Sequence, residues 1–88
     1  MKINHSEIKL LEISGLNPEA LFADGFENAL IGYVEQGGRV LAAYSRRACI
    51  NILIERDDMT AEEAEEFFQH NVAGAYVGEN TPVFVTKL

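Results

Sequence analysis

The sequence contains no tryptophan, only two prolines and a single cysteine, Cys49. One cysteine cannot form a disulfide within the chain, which is typical of a reducing cytoplasm. The chain also lacks a run of about 18 apolar residues, which a membrane-spanning helix would need. Residues 1–5 lead into mixed polar sequence, without the apolar segment of a secretory signal. We therefore expect a soluble, cytoplasmic protein.

Basic residues are also scarce. Seven Lys and Arg stand against 14 Asp and Glu, and the formal net charge is −7. Negative charge repels the phosphates of nucleic acids and of anionic membranes, so we expect neither as a direct partner. Half of the acidic residues lie in one stretch: Glu55, Asp57, Asp58, Glu62, Glu63, Glu65 and Glu66. This stretch predicts either a solvated helix face or a surface that binds a basic partner.

Recognisable catalytic motifs are missing as well: there is no Walker loop, Gly-x-Gly-x-x-Gly, His-Glu-x-x-His or Cys-x-x-Cys. Glu66 and His70 have the spacing of two metal ligands on one helix face, but a third ligand would have to come from His5. We favour an exposed pair on a solvated face. Cys49 lies in an apolar stretch and is expected to be buried. We predict no enzymatic activity, no cofactor and no bound metal.

The length of 88 residues predicts one domain over residues 1–88. Gly37-Gly38 separates two apolar segments, 29–35 and 39–44, and this pattern predicts a β-hairpin. A closing strand is expected at 83–85. A further strand is expected at 7–13, where the apolar residues fit no single period clearly.

Helix starts are predicted at three places. Asn17-Pro18 is typical of a short helix's N-cap and first residue, and Ser45 can cap a helix over 46–56. Thr60 and Glu63 form a capping box for a helix that runs to about residue 73 or 76. We therefore predict an α+β fold, in which a small antiparallel sheet, the hairpin plus the C-terminal strand, packs against two main helices.

The predicted helix at 46–56 has an apolar arc of roughly 240° and a narrow polar side formed by Arg47, Asn51 and Glu55. So wide an arc predicts either a central helix between the sheet and the next helix, or an interface of a symmetric homodimer. On the next helix, Asn71 falls within the apolar stripe. We expect its amide to be buried and bonded to the backbone of the neighbouring loop, with recognition of a ligand as the alternative.

The stretch 74–82 offers a different kind of site. Tyr76, Asn80, Thr81 and the N–H groups around residue 78 can line a small pocket, with Arg46 and Arg47 as phosphate partners. The simpler interpretation is a helix C-cap at Gly78, followed by a turn and a strand.

Two stretches of the sequence carry a family resemblance. They are Met59-Thr60-x-Glu62-Glu63-Ala64 followed by Asn71-Val72-x-Gly74-Ala75-Tyr76-Val77-Gly78-Glu79-x-Thr81-Pro82-Val83-Phe84, and Gly25-Phe26-Glu27-x-Ala29-Leu30-Ile31-Gly32. Over most of residues 24–85 the chain resembles a family of small uncharacterised acidic proteins encoded by phages and prophages. The resemblance implies the cytoplasm of a bacterial host cell and carries over no activity.

Two functions follow as hypotheses. The first is a non-enzymatic interaction protein that binds and modulates a host protein, for instance as an anti-CRISPR-type inhibitor. The acidic stretch 55–66 would then meet a basic, nucleic-acid-binding surface of that host protein. The alternative is a small-ligand protein that binds or sequesters a nucleotide signal through the residues named above.

Overall fold

A computed structural model describes the backbone of residues 5–88 and the side chains of residues 6–88. Its elements in chain order are α1 (His5–Leu16), a 3-10 turn (Glu27–Ala29), β1 (Leu30–Gln36), β2 (Arg39–Ser45), α2 (Arg46–Arg56), α3 (Ala61–Asn71) and β3 (Val83–Val85). The α+β class predicted from the sequence is confirmed. Within the described range, no helix has the length and apolar character needed to cross a membrane.

Strands β1 and β2 form the predicted antiparallel hairpin. Its two-residue turn is Gly37-Gly38, with φ of 60° and 78°. Glycine adopts such positive φ values without a Cβ clash, so the turn follows directly from the sequence. At the other end of the hairpin, Ile31 is an extra residue between the paired positions of Leu30 and Gly32, which makes a β-bulge.

Strand β3 lies at 83–85 as predicted, but it pairs parallel to β2, so the sheet is mixed, with the order β1-β2-β3. The physical reason is the connection. Parallel neighbours need a long crossover, and here the crossover contains α2, α3 and the loop 72–82. The sheet's antiparallel pairing is thus confined to the hairpin.

Helices α2 and α3 begin where their caps predict. The N–H of Ala48 donates to the Ser45 hydroxyl at 3.1 Å. At α3, the N–H of Glu63 donates to Thr60 Oγ1, and the N–H of Thr60 donates to the Glu63 carboxylate at 2.9 Å. The far end of α3 differs from expectation: the helix ends at Asn71, and Gly78 lies in a later turn instead of capping it.

The prediction of a strand at 7–13 is wrong, because these residues belong to α1. Ile13 faces the core and is 1% exposed, whereas Ile8 and Leu11 face outward and are 53% and 62% exposed. Apolar residues on both sides of the helix hide its period. Asn17 follows α1 and starts no helix of its own. Its side chain accepts from the N–H of Glu19 and stabilises a turn.

The core joins α1, the 3-10 turn, the sheet, α2 and α3. Its largest fully buried side chains are Tyr44, Phe68, Ile13, Leu30, Leu53 and Cys49. The Tyr44 hydroxyl accepts from the N–H of Ala23 at 2.8 Å, so this buried polar group is satisfied. Burial raises the pKa of Tyr44, and it raises the pKa of the Cys49 thiol to about 11. The predicted burial of Cys49 is confirmed.

Helix α2 packs against α3 on one side and against β2 and the 3-10 turn on the other. The polar side predicted for it is confirmed, since Arg47, Asn51 and Glu55 are all exposed. The apolar arc divides into two parts. Cys49, Ile50 and Leu53 are buried, and Ala48, Ile52 and Ile54 are only half-buried.

Candidate functional site

Helices α2 and α3 form an antiparallel hairpin with charges of opposite sign at its two ends. Arg46, in the first turn of α2, donates to Glu65, near the middle of α3, and to Gln69, near its end. The last turn of α2 is joined to the first turn of α3 by residues 57–60. Asp57, Asp58, Glu62 and Glu63 therefore lie at the loop end of the hairpin together with Arg56, and Arg46 and Arg47 lie at the other end.

All seven acidic residues predicted to bind a partner are exposed, but three of them are engaged within the chain. Asp57 accepts from the Arg56 guanidinium at 2.9 Å, and Glu65 accepts from Arg46. Glu63 belongs to the capping box of α3. Hydrogen bonds from Arg56 and Arg46 lower the pKa of Asp57 and Glu65, and the bond from the backbone of Thr60 lowers the pKa of Glu63.

The other four, Glu55, Asp58, Glu62 and Glu66, have no hydrogen bond or ion pair with any residue in the described part of the chain. Glu62 and Glu66 are one helical turn apart on the side of α3 that faces away from its buried residues. Asp58 lies in the α2–α3 loop at a φ of 54°. Of these three carboxylates, Asp58 and Glu62 lie at the loop end of the hairpin, and Glu66 lies midway along α3.

Glu55 is different in placement, because it lies on α2. It follows Arg47 and Asn51 along the exposed side of that helix. The structure therefore divides the acidic stretch into three groups: the engaged carboxylates, the free carboxylates of α3 and its loop, and Glu55 on α2. Sequence spacing alone could not make this division, since the partners Arg46 and Glu65 are 19 positions apart.

At the opposite end of the hairpin lies a depression of about 400 Å³, which we call the basic depression. Its lining residues are Ser45, Arg46, Arg47, Ile50, Asn51, Glu65, Thr86, Lys87 and Leu88. Arg46 forms an ion pair with Glu65, and its guanidinium lies 5.1 Å from the centre of the Phe68 ring. Pairing with Glu65 raises the pKa of Arg46. Arg47 and Lys87 have no ion-pair partner among the described residues.

The five residues predicted for a small-ligand site lie in two places. Arg46 and Arg47 line the basic depression, whereas Thr81 lines a separate groove. Asn80 accepts from Asn17 at 3.0 Å and from Arg39 at 3.3 Å. The hydroxyl of Thr81 donates to the carbonyl of Gly78 and accepts from the N–H of Val77. Asn80 and Thr81 therefore organise the loop 72–82, while Tyr76 is 76% exposed beside it.

The separate groove is a feature that sequence reasoning missed. It has a volume of about 260 Å³ and is lined mainly by apolar side chains from residues 21–26 and 71–84. These segments are distant in sequence and have no motif in common, so nothing in their spacing could have joined them. The exposed side chains of Leu21 and Val77 lie at this groove.

Two further sequence predictions concern α3. The prediction for Asn71 is wrong: its side chain is exposed and donates to the carbonyl of Phe67 in its own helix, at 3.2 Å. The helix ends at this residue, so its position on the apolar stripe does not bury it. Across residues 5–88, no group of three His, Cys, Asp or Glu side chains that could hold a metal ion is found. The side chain of His5, the third ligand considered, lies outside the described residues.

Comparisons of the chain with protein-family models, with curated proteins and with solved structures find no match. The resemblance to phage-encoded proteins therefore stays a prediction that rests on the sequence stretches 25–32, 59–64 and 71–84.

Proposed function

We propose that this chain is a non-enzymatic interaction protein, which binds a basic surface on a host protein and modulates that protein. Asp58, Glu62 and Glu66 form the centre of the contact. One observation carries the proposal. All three carboxylates are exposed and have no hydrogen-bond or ion-pair partner in the described structure. By contrast, the neighbouring Glu63 caps α3 and Glu65 pairs with Arg46.

The physical reason is electrostatic. Glu62 and Glu66 are held on a capped helix, about 6 Å apart along its axis, so the positions of their Cα atoms are fixed before binding. A groove that binds a nucleic-acid backbone is rich in Lys and Arg, and the same groove attracts carboxylates. Together with the predicted phage origin, this makes a nucleic-acid-binding complex of host defence, such as one of CRISPR interference, a partner of the required kind.

The hairpin supports this proposal better than the nucleotide-binding alternative. That alternative needs Tyr76, Asn80 and Thr81 to join Arg46 and Arg47. The Asn80 side chain already accepts from Asn17 and Arg39, and the Thr81 hydroxyl already bonds within its own loop. The only part of the nucleotide-binding alternative that the described structure leaves is the basic depression, which Arg46 and Arg47 line.

A matched pair of charge variants tests the proposal. Glu62→Lys/Glu66→Lys reverses the two helix charges. Glu12→Lys/Glu35→Lys makes the same change in net charge at exposed carboxylates elsewhere. Each variant and the native chain are immobilised and exposed to bacterial lysate at low and at moderate salt. Any retained protein is then purified, and its Kd is measured.

The proposal predicts that the native chain and the Glu12/Glu35 control retain the same protein. The Glu62/Glu66 variant should bind it at least about tenfold more weakly, since reversed charges face like charges. Moderate salt should weaken native binding as well. A partner retained equally by all three chains would contradict the proposal, and so would the absence of any retained protein at both salt concentrations. Melting temperatures of the variants check that each is folded.

A further inference from the structure

The outward side of α2 carries an ordered row of charge. Arg47, Asn51 and Glu55 occupy successive turns of the helix, and all three are exposed. None of them bonds to any other side chain within the described part of the structure. The row therefore consists of one positive charge, one neutral amide and one negative charge, each one helical turn from the next.

Arg47 and Glu55 cannot satisfy one another within a single chain. They are eight residues apart, which places them about 12 Å apart along the helix axis. Ion pairs on one helix join residues three or four apart, and the charged groups must approach to about 4 Å. The position one turn from each is occupied by Asn51, which carries no charge. Neither charge therefore has an ion-pair partner on its own helix.

We propose that the row binds the same row of a second copy of this chain, with the two α2 helices antiparallel and a two-fold axis beside Asn51. Reversing the direction of the row places Arg47 of each copy opposite Glu55 of the other. The contact is therefore self-complementary, as an isologous interface requires. At the axis, each Asn51 amide can donate to and accept from its counterpart, because an amide has both kinds of group.

The charges beyond the two ends of the row are also of opposite sign. The basic depression, with Lys87, lies at the Arg47 end of α2, and Asp58 lies beyond the Glu55 end. In the antiparallel pair, the acidic loop of each copy approaches the basic depression of the other. The half-buried side chains of Ala48 and Ile54 flank the row and lose water in the contact.

Because the net charge of each chain is −7, the strength of dimerisation should depend on the salt concentration. Repulsion between two such chains acts over long distances, whereas the ion pairs act at contact. The Debye length is about 8 Å at 0.15 M salt, so the long-range repulsion is screened there while the contacts survive. A single pair of helices also buries less than the roughly 800 Å² per partner of a standard interface. We therefore expect a dimer that dissociates in the micromolar range or above, and that weakens again near 1 M salt.

Charge swaps tested by sedimentation equilibrium, at protein concentrations up to about 1 mM, give the decisive readout. Arg47→Glu alone and Glu55→Arg alone each place like charges opposite one another. Each should weaken dimerisation at least about tenfold. The double variant Arg47→Glu/Glu55→Arg restores both ion pairs with their signs exchanged, so its dimerisation should return to within about threefold of the native value.

The matched control is Glu35→Lys, which changes an exposed charge on β1, outside the row, and should leave dimerisation unchanged. The two sets of variants also separate the inference from the proposed function. The Glu62/Glu66 variant can lose its host partner and still dimerise, and the Arg47→Glu variant can become monomeric and still bind the host partner.

A disulfide test reports on the two-fold axis directly. In Asn51→Cys the two introduced thiols face one another across the axis, and mild oxidation should link them. In Arg47→Cys they are separated by about 12 Å along the helices and should stay reduced. Native Cys49 is buried and should not link either chain.

Three results would overturn the inference. The first is a native chain that stays monomeric up to about 1 mM at 0.15 M salt. The second is a double charge swap that stays as weak as the single swaps. The third is a monomeric chain whose melting temperature rises with inorganic phosphate or a nucleotide in the native form but not in Lys87→Ala, because this would assign the basic depression to an anion.

Discussion

Helices α1 and α2 present different outward faces. On α1 the outward residues are mixed: Ile8 and Leu11 are apolar and more than half exposed, and Glu12 is exposed beside them. On α2 they are Arg47, Asn51 and Glu55, which are polar and carry charge in a fixed order. Apolar contact is non-directional, so the face of α1 does not specify what covers it. A row of charges in a fixed order specifies both the charges of its partner and the direction in which the partner lies. For this reason the face of α2 indicates what binds it, and the face of α1 does not.

The inward faces of the two helices are alike. Ile13 of α1 is 1% exposed and Leu53 of α2 is 0% exposed, and both belong to the same core. The two helices therefore differ only in what they present to solvent.

The largest expected effect comes from the shared core. Leu53→Ala and Ile13→Ala should each lower the free energy of unfolding by about 2–5 kcal/mol, because each removes buried methyl groups and leaves a cavity. Urea denaturation measures both. If Leu53→Ala has this effect and Ile13→Ala changes stability by less than about 0.5 kcal/mol, as exposed substitutions do, α1 is not packed as described.

A smaller effect is expected from the caps of the α2–α3 hairpin. Ser45→Ala and Thr60→Ala should each lower the free energy of unfolding by about 0.5–2 kcal/mol, because each leaves a helix N–H group without its acceptor. Thr86→Ala is the control, since Thr86 is exposed and caps no helix. Equal losses for Thr86→Ala and Thr60→Ala in urea denaturation would show that capping is not the cause.

Acid should weaken the hairpin through its engaged carboxylates. Bonds from arginine lower the pKa of Glu65 and Asp57 in the folded chain. Their unfolded values are about 4.3 and 3.9. The stability they contribute is present above those values, and it is lost as the pH falls through the lower, folded values. We expect the melting temperature to fall below about pH 4.

Arg46→Gln tests the source of that acid sensitivity. It removes the partner of Glu65, so the pKa of Glu65 should return toward its unfolded value and the fall in melting temperature below about pH 4 should become shallower. Arg47→Gln, which removes an unpaired charge on the next residue, is the control. Identical pH profiles for the Arg46→Gln variant and the native chain would contradict the assignment.

The smallest effects on folding should come from the outward faces themselves. Leu11→Ser on α1 and Asn51→Ser on α2 should each change the free energy of unfolding by about 0.5 kcal/mol or less, because both residues are exposed. Sedimentation equilibrium should nevertheless distinguish them. Asn51→Ser weakens self-association and Leu11→Ser does not. The reverse result would move the interface to α1.

The sequence predicted the elements whose signals are local. Gly37-Gly38, Ser45 and Thr60 each define a turn or a helix start within a few residues, and all three are found where expected. Helix α1 was missed because its apolar residues lie on two sides, and Asn17 was misread because its side chain stabilises a turn at the end of that helix. The parallel direction of β3 depends on how the crossover returns to the sheet, which no local signal encodes.

The candidate site was predicted in outline only. The exposure of the acidic stretch was correct, but the pairing of Glu65 with Arg46 depends on the packing of two helices. The free state of Glu62 and Glu66 could not be known before that packing was seen. The burial of Asn71 was predicted from helical period alone and fails because the helix ends there.

The most direct test of the account follows backbone amide chemical shifts by NMR as the protein concentration is raised at 0.15 M salt. If α2 is the recognition face, the amides of residues 47–55 should shift with concentration, and those of Ile8 and Leu11 should stay constant. Shifts confined to α1, or no concentration dependence at α2, would contradict the claim that the charged row of α2 binds its own copy.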